Sequence, residues 1–277
     1  MAQERDTDLA EARSALRYAA AYAGKTVVAK VGGSTLGAAD TTLEDVVTLQ
    51  RLGVDVVIVH GGGSAISGWL RRIGKEPRFV DGLRVTDEET MELVVMTLAG
   101  KVNKDLVAGI QTLGGRAVGL CGLDGGLIRG VRKNELLGCV GEVTAVDLAP
   151  LRALTSAGFI PVVAPIAVGE GCEALNLNAD TAAAEVAVAL KAEKLIFLTD
   201  VPGIKGADGQ LIPEMSAGQA RELIRSGVIS GGMIPKAEAC LRALDAVPRS
   251  HIVDGRVPHA LIRELFTDEG VGTMITK

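Results

Sequence analysis

A chain of 277 residues that is 48% hydrophobic but only 3% aromatic must fill its core with Val, Ile, Leu and Ala, the residues of helix-covered parallel sheets, which predicts an α/β protein. Its formal charge of −5, with no basic run, argues against nucleic acid as the main partner. The charged start MAQERDTDLAEA lacks an apolar core and no stretch of about 18 uncharged apolar residues follows, so neither export nor membrane spanning is expected; Cys121, Cys139, Cys172 and Cys240 lack CxxC spacing, which disfavours a zinc site or disulfide framework and fits a reducing, cytoplasmic compartment.

In chain order, an Ala-rich stretch over 9–22 comes first. It carries Leu9, Leu16 and Ala20 on one side, as an amphipathic helix does, and serves either association or a solvated terminus. Short apolar runs then alternate with segments of helical period. The strand candidates are TVVAKV from Thr26, VDVVIV from Val54, RAVGLC from Arg116, FIPVVAP from Phe159 and KLIFLTD from Lys194, followed by HIVDG and GTMIT. Helices are expected over 87–113, 180–191, 216–225 and 234–246, and short hairpins over 127–146. This alternation predicts a three-layer αβα sandwich around a mostly parallel sheet, with two lobes meeting near Ala192, where the pattern restarts. Most strand candidates end in Gly, Asp or Pro, and open α/β sheets bind ligands beyond the carboxyl ends of their strands.

The chemistry begins in TVVAKVGGS, which sets Lys30 inside a strand ahead of Gly32 and Gly33, whose N–H groups can face an anion with no Cβ in the way. A strand lysine near an edge also snorkels to solvent, so Lys30 alone leaves both readings open. VIVHGGGSAI places His60, Gly61, Gly62 and Gly63 between an apolar strand and a helix beginning near Ser64, whose positive end suits negative charge; a tight turn is the plainer alternative. Arg84, in GLRVTDEET, stands at the mouth of a helix capped by Thr86 or Asp87, where it can fork onto a carboxylate or make a surface ion pair. NLNADTAAAEVA gathers Asn176, Asn178 and Asp180 at a helix start, more polar groups than one cap uses. In ISGGMIPKAEA, Lys236 occupies a first helical turn, which is electrostatically unfavourable unless phosphate sits there. No GxxxxGK[ST] occurs, and GEGCEA from Gly169 opens no convincing helix after a strand, so P-loop and Rossmann enzymes are set aside.

KVGGS, VHGGG, FVDGLRVTDEET, LAGKVNK, NLNADTAA, LTDVPGI, GGMIPK and HIVDGRVPHA follow one another in the order of the N-acetylglutamate kinases, which the chain resembles from about Leu9 to Lys277. The resemblance implies an oligomerisation helix over 1–23, a lobe over 24–192 that binds N-acetyl-L-glutamate, and a lobe over 193–277 that binds ATP, with Mg²⁺ held mainly by the nucleotide. By motif, Lys30 and Lys236 resemble the lysines flanking the transferred phosphoryl group, and Asp180 the carboxylate that orients them. Gly62, Gly63, Arg84, Asn176 and Asn178 look like acetylglutamate contacts. Gly32, Gly33, Asp200, Val201, Gly203, Ile204, Lys205, Val228, Ile229 and Ser230 look like phosphate and nucleotide contacts. SALRYAAAYAGKT is similar to the extra helix of arginine-inhibited members, which form hexameric rings of dimers, so Tyr18, His251, Glu264 and Gly270 are the expected L-arginine contacts of a homo-oligomer. Three features depart from the usual pattern: Arg17 stands where proline is common, Ala29 and Val31 replace the more frequent neighbours of the first lysine, and Leu123 falls where a lysine is frequent. The implied reaction moves the γ-phosphoryl group of ATP onto a side-chain carboxylate. An aminoadipate-type kinase of the same fold and a non-catalytic amino-acid sensor are the alternatives.

Overall fold

The computed structural model describes residues 13–32, 41–267 and 270–277. Leu9 and Gly33 lie outside these residues, and the N-terminal helix is described over 13–22 as α1. The strands are β1 (Thr26–Val31), β2 (Asp55–His60), β3 (Phe79–Val80), β4 (Leu83–Arg84), β5 (Ala117–Cys121), β6 (Ile128–Arg132), β7 (Gly141–Val146), β8 (Ile160–Ala164), β9 (Ile166–Val168), β10 (Ala174–Asn176), β11 (Lys194–Thr199), β12 (Glu214–Ser216), β13 (Arg249–Asp254) and β14 (Gly272–Thr276). The remaining helices are α2 (Thr42–Arg51), α3 (Gly63–Arg72), α4 (Glu88–Val95), α5 (Asn103–Thr112), α6 (Ala149–Ser156), α7 (Ala179–Leu190), α8 (Ala217–Arg225), α9 (Met233–Ala243) and α10 (Ala260–Phe266).

Eight strands form the main sheet in the order β12-β14-β13-β11-β1-β2-β8-β5. All its pairings are parallel except that of β13 with β14. Strands preceding Ala192 occupy one half and later strands the other, with β1 and β11 meeting at the join. Alternation along each strand splits the apolar side chains between two cores, because successive side chains point to opposite faces. Val28, Val57, Val59, Leu195 and Phe197 pack against α7, α8 and α9. Val27, Ala29, Ile58, Val162 and Ile196 pack against α1, α2, α5 and α10 on the other face. The three layers follow from this division. It also decides where the polar strand residues go: Lys30 shares the parity of Val28 and faces α7, whereas His60 shares that of Ile58 and faces α5.

A four-stranded sheet in the order β10-β9-β6-β7 and the β3-β4 hairpin stand beside the main sheet. The hairpin expected over 127–146 is the antiparallel β6-β7 pair. The single helix expected over 87–113 is instead interrupted by a π-helical segment, Met96–Val102, between α4 and α5. The apolar pattern does not announce this break, because a π turn differs from an α turn by a single residue and the flanking helices are only about two to three turns long. No described helix is long and apolar enough to cross a membrane.

Candidate active site

The carboxyl ends of β1 and β2 and the N-termini of α3 and α7 open onto one cavity of about 370 Å³. Lys30 enters it from β1, Gly62 and Gly63 from the turn into α3, Arg84 from β4, and Asn176 and Asp180 from the approach to α7. Lys30 is only 7% exposed and lies on an interior strand, so it is not a snorkelling edge lysine. Its Nζ stands 2.9 Å from Oδ1 of Asp180. Lys236, in the first turn of α9, donates to Oδ2 of the same carboxylate at 2.9 Å. A carboxylate 5% exposed thus divides its oxygens between two ammonium groups contributed from residues 30 and 236. Burial works to raise the Asp180 pKa, but the neighbouring charges of Lys30 and Lys236 outweigh it and hold the carboxyl below its ordinary value. Asp180 is therefore an ionised tether for two cations, not a proton acceptor poised near neutrality.

Arg84 is buried, 7% exposed, and pairs with no carboxylate among the described residues. One terminal nitrogen, Nη2, donates to the Gly63 carbonyl at 2.8 Å and to Ser67 Oγ at 2.9 Å, and the guanidinium lies 4.8 Å over the Phe79 ring. Nη1 is buried and meets no acceptor among the described residues. A guanidinium held by one nitrogen, on a residue that lines the cavity and with the donors of Nη1 unused, is suited to receive a carboxylate. The helix that Arg84 precedes is capped by Asp87, which accepts from Thr90 N at 2.8 Å. Asn176 donates through Nδ2 to Thr86 Oγ1 at 3.1 Å, and Thr86 donates on to the Arg84 carbonyl at 2.8 Å, joining the two sides of the cavity. Asn178 lines the cavity as well, but its side-chain oxygen is occupied in capping α7, accepting from Asp180 N at 2.9 Å and Thr181 N at 3.0 Å.

Gly62 packs so closely on the π-helical segment that a Cβ there would lie 2.4 Å from Leu98 Cδ2. Gly32 lines the same cavity, whereas Gly33 lies outside the described residues. Sequence patterning passed over Leu98, Ser67, Phe79 and Leu83 as parts of this site. Leu98 depends on the π segment and Phe79 and Leu83 on a hairpin of two-residue strands, both too short to leave a period, while Ser67, on α3, takes part only because the Arg84 guanidinium reaches it.

A second cavity of about 290 Å³ brings together Val201, Gly203, Ile204 and Lys205 with Val228, Ile229 and Ser230. Met233, one turn before Lys236, also lines it, so α9 leads from this cavity to the lysine pair. Asp200 is exposed at the end of β11 and is absent from the cavity lining. Outside the lining of both cavities, His251 Nδ1 lies 2.5 Å from Glu264 Oε1, and Glu264 Oε2 accepts from Val271 N at 2.9 Å beside Gly270. Tyr18 of α1 packs against the same core face. Among the described residues, no group of three or more His, Cys, Asp or Glu side chains is placed to hold a metal. All four cysteines are free, and Cys121, Cys139 and Cys240 are buried.

A doubly wound α/β sheet whose strand ends gather two lysines on one carboxylate, a glycine turn at 61–63 and a buried arginine paired with no carboxylate among the described residues fits a class of phosphoryl-handling enzymes. Residues 25–254 match the model of the amino acid kinase family, and the chain belongs to that family. Among known proteins, it is 48% identical over 282 residues to acetylglutamate kinase from Heliobacterium modesticaldum, with 95% of this chain and 96% of that protein covered. Among solved structures it resembles N-acetylglutamate synthase from Neisseria gonorrhoeae complexed with coenzyme A and N-acetyl-glutamate, at a TM-score of 0.85 and 30% identity over 97% of this chain. The same synthase complexed with coenzyme A and L-arginine matches at a TM-score of 0.84 and 28% identity over 97% of this chain. The chain spans only 63% and 65% of those two synthase chains.

Proposed function

We propose that the protein transfers the γ-phosphoryl group of ATP to the γ-carboxylate of N-acetyl-L-glutamate, forming an acyl phosphate and ADP. The observation that carries this reading is the pair of ammonium groups on one buried carboxylate, each 2.9 Å from it, at the wall of the first cavity. The acceptor occupies the cavity of Arg84, and the nucleotide that of Val201 to Lys205 and Val228 to Ser230. These assignments make the residues up to Ala192 the acceptor lobe and the later ones the nucleotide lobe. Mg²⁺ would be held mainly by the nucleotide, whose phosphate oxygens suit it, and would supply further positive charge there.

A carboxylate is ionised at neutral pH and needs no general base. One of its oxygens attacks the γ-phosphorus, the bond from phosphorus to the β–γ bridging oxygen breaks, and ADP departs with the electron pair. The obstacle is charge: a negative nucleophile approaches a phosphorus surrounded by negative oxygens. Lys30 and Lys236, with the N–H groups of the glycine turns, meet the charge that spreads over the equatorial and bridging oxygens in the transition state. Asp180 keeps both ammonium groups in place before substrate arrives, so little reorganisation remains for the reaction itself.

The test is a hydroxylamine trap for acyl phosphate, with ATP and a panel of acidic amino acids. N-acetyl-L-glutamate is expected to give the highest kcat/KM. Preference for an aminoadipate substrate would move the acceptor assignment within the same fold, and no product from any acid would favour the sensor. Arg84→Ala is expected to raise KM for the acceptor about thirtyfold while KM for ATP stays within about twofold, since a charge-assisted hydrogen bond contributes roughly 1.5–3 kcal/mol. An unchanged acceptor KM would remove Arg84 from the acceptor site.

L-arginine is proposed as feedback inhibitor of a homo-oligomer, bound near Glu264, whose acidity suits a guanidinium. Support comes from the proximity of Glu264, His251 and Gly270, and from the synthase relative whose structure contains L-arginine. Deleting residues 1–22 is expected to abolish arginine inhibition and reduce oligomer size in light scattering. If both persisted, this part of the proposal would fall.

A further inference from the structure

His60 ends β2 immediately before the glycine turn, is 1% exposed, and has no part in the chemistry above. Its ring lies in a buried chain of hydrogen bonds whose direction can be worked out from one end. Lys104 Nζ stands 3.0 Å from one side-chain atom of Asn103, and an ammonium only donates, so that atom is the amide oxygen. The other atom, 2.8 Å from the Val162 carbonyl, is then the NH₂ nitrogen, as a carbonyl only accepts. This same nitrogen is 3.2 Å from His60 Nε2. Because an amide nitrogen has no lone pair to offer, Nε2 accepts, the proton sits on Nδ1, and Nδ1–H donates to the Gly61 carbonyl at 2.8 Å.

The fold is shaped around this chain. Asn103 is fully buried directly after the π-helical segment, as the first residue of α5. Glycine at 119, inside β5, makes room for it: a Cβ there would lie 1.7 Å from Asn103 Oδ1. A strand interior gains nothing from glycine unless another group needs the space. Burial, set against the Gly61 hydrogen bond and reinforced by the Lys104 and Lys30 charges, holds the His60 pKa down to about 4, so the ring is neutral at working pH.

The consequence lies in the next peptide. In a trans peptide the C=O and the following N–H point in opposite directions. There are no cis peptides among the described residues, so fixing the Gly61 carbonyl against the buried ring turns the Gly62 N–H away from the ring, on a residue that lines the cavity together with Lys30. We infer that His60 is a positioning residue of the phosphoryl site: held as its Nδ1–H tautomer by Asn103, it orients the Gly61–Gly62 peptide so that the Gly62 N–H meets the migrating phosphoryl group. This rests on the kinase reading above. It adds a requirement that one particular tautomer of a residue touching no substrate sets the rate of the chemical step.

The test compares His60→Leu with His60→Asn in the full-length protein. An asparagine side-chain NH₂ reaches the position of Nδ1 and can donate to Gly61, whereas leucine fills the volume without a donor. His60→Leu is expected to lower kcat about thirtyfold, with both KM values within about threefold, because a donor aimed at developing charge acts mainly in the transition state. His60→Asn is expected to recover kcat to within about threefold of the unsubstituted enzyme. A kcat for His60→Leu within threefold of the original, or no recovery with His60→Asn, would overturn the proposal. A merely structural role would instead lower the melting temperature of both variants alike and leave the kcat of the folded fraction unchanged.

Should neither variant fold, the ring itself decides. Long-range ¹H–¹⁵N spectra of the ¹⁵N-histidine-labelled protein are expected to show His60 protonated on Nδ1, and an Nε2–H tautomer would overturn the proposal. If the unsubstituted protein made no acyl phosphate, the kinase reading would fail by itself, while these spectra would still report whether the chain runs from Lys104 to Gly61.

Discussion

Lys30→Ala and Lys236→Ala are each expected to lower turnover at least about a hundredfold while the fold survives. Each ammonium is a preorganised positive charge in a water-poor site, and losing one such group typically costs about 3 kcal/mol of barrier. The two positions are not interchangeable. Lys30 lines the cavity proposed for the acceptor, from a central strand, and Lys236 lies one helical turn beyond the cavity proposed for the nucleotide, so on that proposal each faces a different side of the phosphoryl group. Survival of the fold follows from their shared partner: removing either lysine leaves Asp180 paired with the other at 2.9 Å. The measurement is kcat in the acyl phosphate assay, with the melting temperature as control. Near-normal turnover in either variant would refute the assignment. The double variant is expected to lose less than the product of the two single effects, because groups acting on one transition state through one carboxylate are coupled.

Much of this site can be read from local pattern, and the limit of that reading has a physical cause. Lys30 is legible because strand parity is strict: TVVAKV alternates about β1, so the lysine must share a face with Val28, and whichever helix covers that face must answer its charge. That helix, α7, could be expected from Asn178 and Asp180 at its start, and Lys236 could be suspected as a cation where the dipole disfavours one. Asn103 could not be found in the same way. It lies in an amphipathic stretch that reads as one helix, and only the π-helical segment brings its carboxamide to His60. Strands such as β9 and β10, three residues each, are shorter than any pattern that could announce them, yet β10 carries Asn176 to the cavity that Lys30 and Arg84 line. The boundary near Ala192 marks a change of sheet half, but the β1-β11 pairing makes one continuous sheet across it.

Asp180→Asn is expected to separate the electrostatic role of this carboxylate from its shape. The substitution is nearly isosteric and leaves two ammonium groups side by side without a counter-charge, so mutual repulsion replaces tethering. Removing one partner of a buried ion pair typically costs about 3–5 kcal/mol of stability, and turnover is expected to fall at least about a hundredfold as the lysines lose their preset positions. The pH dependence supplies a signature that a packing defect would not. The folded-state pKa of Asp180 is depressed below 3.8, so its contribution is fully present above 3.8 and is lost as pH falls through the lower folded value. The stability gap between the original protein and Asp180→Asn, measured by chemical denaturation, is therefore expected to be constant between pH 5 and 7 and to narrow in stronger acid, where the native carboxyl is itself neutral. A gap that stayed the same down to the acid limit would mean that Asp180 holds the site by packing, and the lysine pair would lose its organising charge.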